Sequence, residues 1–163
     1  MALLTYTTYD DIRAALGVSS DEIEDATLSL SLYELNLTSE FEDIDTSIET
    51  DYATVAALSS RTAVQDRFLQ ATRLFATYAV AYQATTSLPL FSPKDVTDGK
   101  AAFSRYADSP YKEVIKRVEQ LYGKYKAKLE AAYAANNAGS APSITSRPYF
   151  NVAVPDSDPV TGT

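Results

Sequence analysis

The longest patterned stretch runs through residues 62–93, where Val64, Phe68, Ala71, Phe75, Tyr78 and Tyr82 recur at alternating spacings of four and three. Such spacing sets them on one helical face and predicts that the face is buried. Thr62 with Gln65 three residues on is a capping-box signature, each side chain satisfying a backbone donor that the first helical turn leaves free. Over residues 74–82 the segment is apolar nearly all round, as in a helix surrounded by other elements. Pro89 and Pro93, within Ser87-Leu88-Pro89-Leu90-Phe91-Ser92-Pro93, cannot continue it and predict a turn. About 25 residues at 1.5 Å each make a spine of roughly 37 Å.

Before this spine, Thr8 with Asp11 marks a helix start. Ile12, Ala15 and Leu16 give that helix an apolar side and Gly17 ends it, predicting a helix over Tyr9–Leu16. Ser19 with Glu22 repeats the capping pattern. Ile23, Ala26, Leu30, Tyr33, Leu37, Phe41, Ile44 and Ile48 then fit one helix of several turns. Leu28, Leu30 and Leu32 alternate as a strand would, but that pattern breaks at Tyr33-Glu34 while the helical period survives it.

After the spine, Thr97-Asp98-Gly99-Lys100 reads as a turn opening a short helix whose Phe103 and Tyr106 pack inward. Gly99-Lys100 is no phosphate loop, because the earlier Gly, the following Ser or Thr and a preceding strand are missing. Ser109-Pro110 opens the most regular helix, a capping Ser followed by Pro at the first helical position. Along it Tyr111, Ile115, Val118, Tyr122, Tyr125, Leu129 and Ala132 step by four and three, and Lys112, Lys116, Lys124 and Lys128 form a basic ridge. A coiled-coil seam is one use of such a stripe; packing against the spine is the more economical. Gly123 costs this helix about 1 kcal/mol relative to Ala and suggests the close approach of a neighbour.

Asn136, Asn137 and Gly139 end that helix, and the character of the chain then changes. Pro142, Pro148, Pro155 and Pro159 stand among many Ser and Thr with no helical period. The expected fold is therefore all-α: a helical bundle over residues 1–137 and an extended C-terminal arm over residues 138–163. Within the arm, Tyr149-Phe150-Asn151-Val152-Ala153-Val154 is apolar and β-prone, suited to joining a partner's sheet or groove. A disordered terminus with incidental aromatics is the competing reading.

Composition narrows the chemistry. The chain has 163 residues, enough for one core, and neither Cys nor His. Disulfides, thiolate nucleophiles, Cys/His zinc sites, Ser-His-Asp triads and imidazole bases are excluded. The opening residues carry no basic, then apolar, leader pattern and no run reaches the ~18 apolar residues of a membrane span, so a cytosolic, soluble protein is expected. The net charge of −8 opposes tight sequence-independent binding to nucleic acid. Charge is divided along the chain: residues 1–60 hold thirteen acids and one base, residues 61–137 seven acids and twelve bases. Such halves can be solvated separately or pair within one molecule or between copies.

Six acids fall in residues 40–51: Glu40, Glu42, Asp43, Asp45, Glu49 and Asp51. Clustered carboxylates suit calcium, but the central Gly and registered Glu of an EF-hand loop are missing, and a solvated or partner-facing acidic surface is the reading adopted. No metal and no cofactor are expected. Of the twelve tyrosines, most, at helical spacings, are expected to bury their rings in the core or an interface while the hydroxyl stays near a polar partner. No pair of carboxylates is placed by the sequence across a cleft for acid/base work, and no enzymatic activity is expected.

The chain resembles the small helical head-to-tail adaptor (head completion or connector) proteins of tailed bacteriophages. The likeness lies in the opening Tyr9-Asp10-Asp11-Ile12-Arg13-Ala14-Ala15-Leu16-Gly17-Val18, the apolar segment over residues 74–82, the Asp98-Gly99-Lys100 turn, the long last helix and the terminal arm. The resemblance implies a virion protein at the head–tail interface, made in the host cytoplasm. It implies a homo-oligomeric, dodecameric ring under the portal protein, linked to the next connector or tail protein, with DNA passing through without specific binding. Arg147, Tyr149, Phe150, Val152 and Val154 would then be the portal-binding arm. Glu40, Glu42, Asp43 and Asp45 would meet Lys112, Lys116, Lys124 and Lys128 between subunits. Another tail-completion factor and a monomeric helical protein-binding module are the alternatives.

Overall fold

The computed structural model describes residues 3–85, 95–98, 101–104 and 112–138. In order these form a 3₁₀ turn Leu3–Thr5, helices α1 Tyr9–Leu16, α2 Asp25–Leu28, α3 Ser31–Ile44, α4 Ile48–Ala56 and α5 Ala63–Ala84, an antiparallel pair β1 Asp95–Asp98 and β2 Ala101–Ser104, and α6 Lys112–Asn137. The fold is an all-α bundle with one short hairpin. The turn expected over residues 87–93, the start signal Ser109-Pro110, Tyr106, Tyr111 and residues 139–163 lie outside the described residues.

Helix α5 is the centre, as its pattern predicts. Thr62 accepts from the Gln65 N–H at 3.3 Å while the Gln65 side chain accepts from the Thr62 N–H at 2.8 Å, a complete capping box. Phe68, Phe75, Ala76, Ala79, Val80, Ala81 and Ala84 are fully enclosed. The predicted face is not buried along its whole length: Val64 and Tyr82, near the two ends, are 39% and 37% exposed. A face is covered only where a neighbour lies over it: Val64 lines the open groove between α5 and α6, and Tyr82 is covered by the Tyr122 ring on one side.

Helix α6 packs antiparallel along α5, since the ring pairs Phe68–Tyr133, Tyr78–Tyr125 and Tyr82–Tyr122 descend one helix while ascending the other. Val118, Leu129 and Tyr133 are buried, and Tyr122 and Tyr125 half-buried. Gly123 meets nothing within 4 Å of where a Cβ would stand, so it serves no close approach. On another side of α5, Phe41 of α3 and Tyr52 of α4 close over Phe75 and Phe68, with Tyr6 edge-on to both Phe41 and Tyr52.

Helix α1 has the expected bounds. The Asp11 N–H donates to Thr8 Oγ1 at 3.1 Å, and Gly17 takes the left-handed φ of 72° that glycine adopts without penalty. Its N–H bonds the Ala14 carbonyl and the next N–H, of Val18, the Arg13 carbonyl, closing the helix as a Schellman motif.

The single helix expected from Ile23 to Ile48 is broken into three. Ser19 and Glu22 form one half of the predicted capping box, Ser19 N–H to Glu22 Oε2 at 2.8 Å, while the Glu22 N–H bonds the Ser19 carbonyl, and together they close one isolated turn. Helix α2 stops where Ser29 Oγ donates to the Ala26 carbonyl and Leu30 is extended. Helix α3 stops at Asp45, whose backbone is extended and whose Oδ1 accepts the Ser47 N–H at 2.8 Å. Short polar side chains that bond their own backbone offer an alternative to the helical ladder, and here they win. The breaks shift the phase, so Leu28 is buried while Ala26 and Leu30 face out.

A second correction is the hairpin. Ala101–Ser104, expected in a helix, forms a strand paired with Asp95–Asp98, in a register that joins Asp98 to Ala101. That register leaves two residues, Gly99 and Lys100, between the runs, and Gly followed by another residue is a two-residue hairpin signal.

Candidate functional site

The acidic segment and the basic last helix meet along one seam, closed mainly by tyrosine hydroxyls. Tyr122 and Lys126, one turn apart on α6, both donate to Glu40 Oε2 of α3, at 2.7 and 3.0 Å. Burial and the Glu40 carboxylate push the Tyr122 phenol up to about 12. Burial works against the Lys126 ammonium, but Glu40 and Tyr122 hold its pKa above the ordinary lysine value.

Two turns further along α6, the Tyr133 hydroxyl lies 2.9 Å from Asp51 Oδ2 and 3.2 Å from Asp45 Oδ1. One hydrogen serves two carboxylates, the nearer taking the better share. Burial first, then Asp51, raises this phenol to about 12. The Asp45 carboxyl is held below its usual range, chiefly by the Ser47 N–H. At the far end of the acidic segment, Glu49 Oε1 accepts from Tyr6 and Thr38, each at 3.3 Å, and burial with the Glu49 charge lifts Tyr6 well above the normal phenol value. These phenols stay protonated across the physiological range. They act as fixed donors, clamps on carboxylates, and not as bases.

A separate clamp holds the first helix. Arg13, almost fully buried, donates through Nε to the Ile23 carbonyl at 2.8 Å and through its terminal nitrogens to Asp10, at 2.9 Å, and Asp25. It pins α1 to the turn that leads into α2. The sequence marks Arg13 only as the lone base among thirteen acids, which is itself a signal that it is committed to a partner.

The sequence-predicted charge residues therefore separate into two sets. Glu40 and Asp45 are half-buried and engaged within the chain, Glu40 with Lys126, which the predicted basic ridge does not include. Glu42 and Asp43 are exposed on the outer side of α3, and Lys112, Lys116, Lys124 and Lys128 are exposed on α6. Lys124 and Lys128 lie over the Tyr125 ring, at 5.9 and 5.3 Å from its centroid. The arm residues Arg147, Tyr149, Phe150, Val152 and Val154 lie outside the described residues. Tyr78 with Tyr125 and Tyr82 with Tyr122 stack in pairs, so each ring spends a face on its neighbour.

Two grooves flank α5. One, of about 500 Å³, lies between α1 and α5, lined by Leu4, Thr8, Asp11, Ala15, Arg73 and Tyr78. The other, of about 400 Å³, runs between α5 and α6 over Ala71, Ala131, Ala132 and Ala135, with Arg67 and Lys128 on its walls and Val64 and Leu74 at its ends. Among the described residues no group of three acids is arranged to hold a metal ion, and no helix is long and apolar enough to cross a membrane. Comparisons of the chain with protein-family models, with curated proteins and with solved structures find no match.

Proposed function

We propose that the chain is a structural adaptor of tailed bacteriophages, a virion protein at the head–tail interface that works by assembly and without catalysis. In this reading copies form a ring, dodecameric by the resemblance, below the portal protein. The arm over residues 138–163 reaches the portal, through Arg147, Tyr149, Phe150, Val152 and Val154, and another face presents the ring to the next connector or tail protein. Weak contacts repeated around a ring gain strength by multivalency. A channel wall of acidic or mixed charge lets DNA slide without sticking.

The observation that carries this reading is how the surface charge is arranged. The seam along α6 ties down Glu40, Asp45 and Asp51, and Tyr6 with Thr38 holds Glu49, whereas Glu42 and Asp43 on α3 and the four ridge lysines on α6 stay exposed on different helices. Charges displayed apart on one rigid body suit contacts with other copies and partners. The test is the mass and shape of the purified protein, alone and mixed with a portal ring. Assembly with the portal, weakened when residues 140–163 are deleted while helix content is kept, is the expected outcome. A strict monomer that ignores the portal sinks the adaptor.

A monomeric helical protein-binding module is the second reading. It is favoured by the pairing of Glu40 with Lys126 inside one chain, since charge halves that close on themselves need no second copy. A single mass at every concentration, with a partner bound one to one, would select it.

A further inference from the structure

Three leucines of the α2–α3 region stand in solvent, although an ordinary soluble surface scatters its apolar side chains singly. Leu30 precedes α3, and Leu32 and Leu35 are 61% and 66% exposed on it. At 100° per residue the outward side of α3 carries Leu32, Leu35, Ser39, Glu42 and Asp43, leucines toward one end and acids toward the other. Leu37 and Phe41, on the opposite side, are the ones that hold α3 to the bundle.

The groove between α5 and α6 has the complementary character. Its alanine floor leaves room for branched side chains, and Arg67 and Lys128 give its walls positive charge. The spacing also agrees. Leu35 and Glu42 are seven residues apart on α3, about 10 Å along the axis, and Leu74 and Arg67 are seven residues apart on α5.

The two surfaces cannot meet within one molecule. Helix α3 lies against the side of α5 that holds Gln83, which accepts from Asn36 at 3.2 Å. Gln83 is nine residues, and so about half a turn around the helix, from Leu74 in the groove.

From this we infer that the outward side of α3 in one copy seats in the α5–α6 groove of the next, Leu35 against Leu74 and Glu42 against Arg67, with α3 antiparallel to the partner's α5. Unlike surfaces joined in this way make a heterologous contact, which propagates from copy to copy and closes into a ring when the rotation per step permits. The inference rests on the self-assembly proposed above and supplies its interface.

Because the chain has no cysteine, the contact can be trapped cleanly. A full-length chain carrying Leu35→Cys and Leu74→Cys together, oxidised gently, is expected to run as a ladder of linked copies on a non-reducing gel, and either substitution alone is not. In sedimentation across a concentration series, Leu35→Glu and Arg67→Glu should each weaken association by about tenfold or more. Glu42→Arg should restore association to the Arg67→Glu chain. Both altered leucines are already exposed, and circular dichroism checks that the helices persist. Copies that assemble without the ladder, and equally well with Leu35→Glu, overturn this interface while leaving the adaptor reading standing. A wild-type chain that stays monomeric throughout the series overturns this interface, and one that also ignores a portal ring overturns both.

Discussion

Helices α5 and α3 come from the same kind of sequence, apolar residues at helical spacing, and end in opposite circumstances. Of the 22 residues of α5, eleven are buried; of the 14 in α3, only Leu37 and Phe41 are. α5 is enclosed by α1, α3, α4 and α6, so even its alanines and threonines find neighbours, Thr77 reaching Thr7 at 2.7 Å. α3 has neighbours on one side alone, and Leu32 and Leu35 point away from them. The contrast teaches that an apolar residue's fate depends on whether a partner element lies over it, and that the leucines of α3 contribute little to holding the bundle together.

Substitutions can break that comparison, and the largest effect belongs to α5. Phe75→Ala removes a ring packed between Phe41 and Tyr122 and should cost about 3–5 kcal/mol in urea unfolding. A loss under 1 kcal/mol would mean that α5 is not the core. Arg13→Leu strips the Ile23 carbonyl of its donor and frees Asp10 and Asp25, for an expected loss of about 1–3 kcal/mol by the same measurement.

The tyrosine seam gives a pH signature. Tyr122 and Tyr133 ionise near 12 in the folded chain and near 10 when unfolded. The folded state holds those protons more tightly, so the stability they confer is complete below pH 10 and drains away as pH rises toward 12. Thermal unfolding should show this decline, and Tyr122→Phe with Tyr133→Phe should flatten it. An unchanged slope in the double variant would remove the seam from the stability of the fold.

Smaller effects complete the series. Thr62→Ala deletes half of the α5 capping box and should cost about 1 kcal/mol. Leu35→Ser on α3 should stay within about 0.5 kcal/mol of the parent, as expected of a surface position without partners in its own chain. If Leu35→Ser destabilised the monomer as strongly as Phe75→Ala, the contrast between the two helices would collapse.

What was legible in the sequence was local. Thr8 and Gly17 bound α1, Thr62 and Gln65 start α5, and the stripe through Val118, Tyr122 and Leu129 orients α6 against it. These are decided within one or two helical turns by hydrogen bonds and periodicity, which the order of residues displays directly. Tyrosines with polar partners were foreseeable as a class. That Tyr133 would take Asp51 and Asp45, more than eighty positions away, was not, because nothing local couples those residues. The breaks at Ser29 and Asp45 left a fainter mark: both are short polar side chains able to bond nearby backbone, but many such residues sit inside helices without ending them.

By itself, then, the sequence determined that this chain makes helices, where several begin and end, and that neither thiol nor imidazole chemistry is open to it. Only the tertiary structure decided which apolar stripes are covered, which carboxylates are claimed by tyrosines, and that Leu32, Leu35, Glu42 and Asp43 remain on show across the molecule from a cation-walled groove. The physical reason is that caps and periods are properties of a segment, whereas burial and pairing are properties of what the rest of the chain brings beside it.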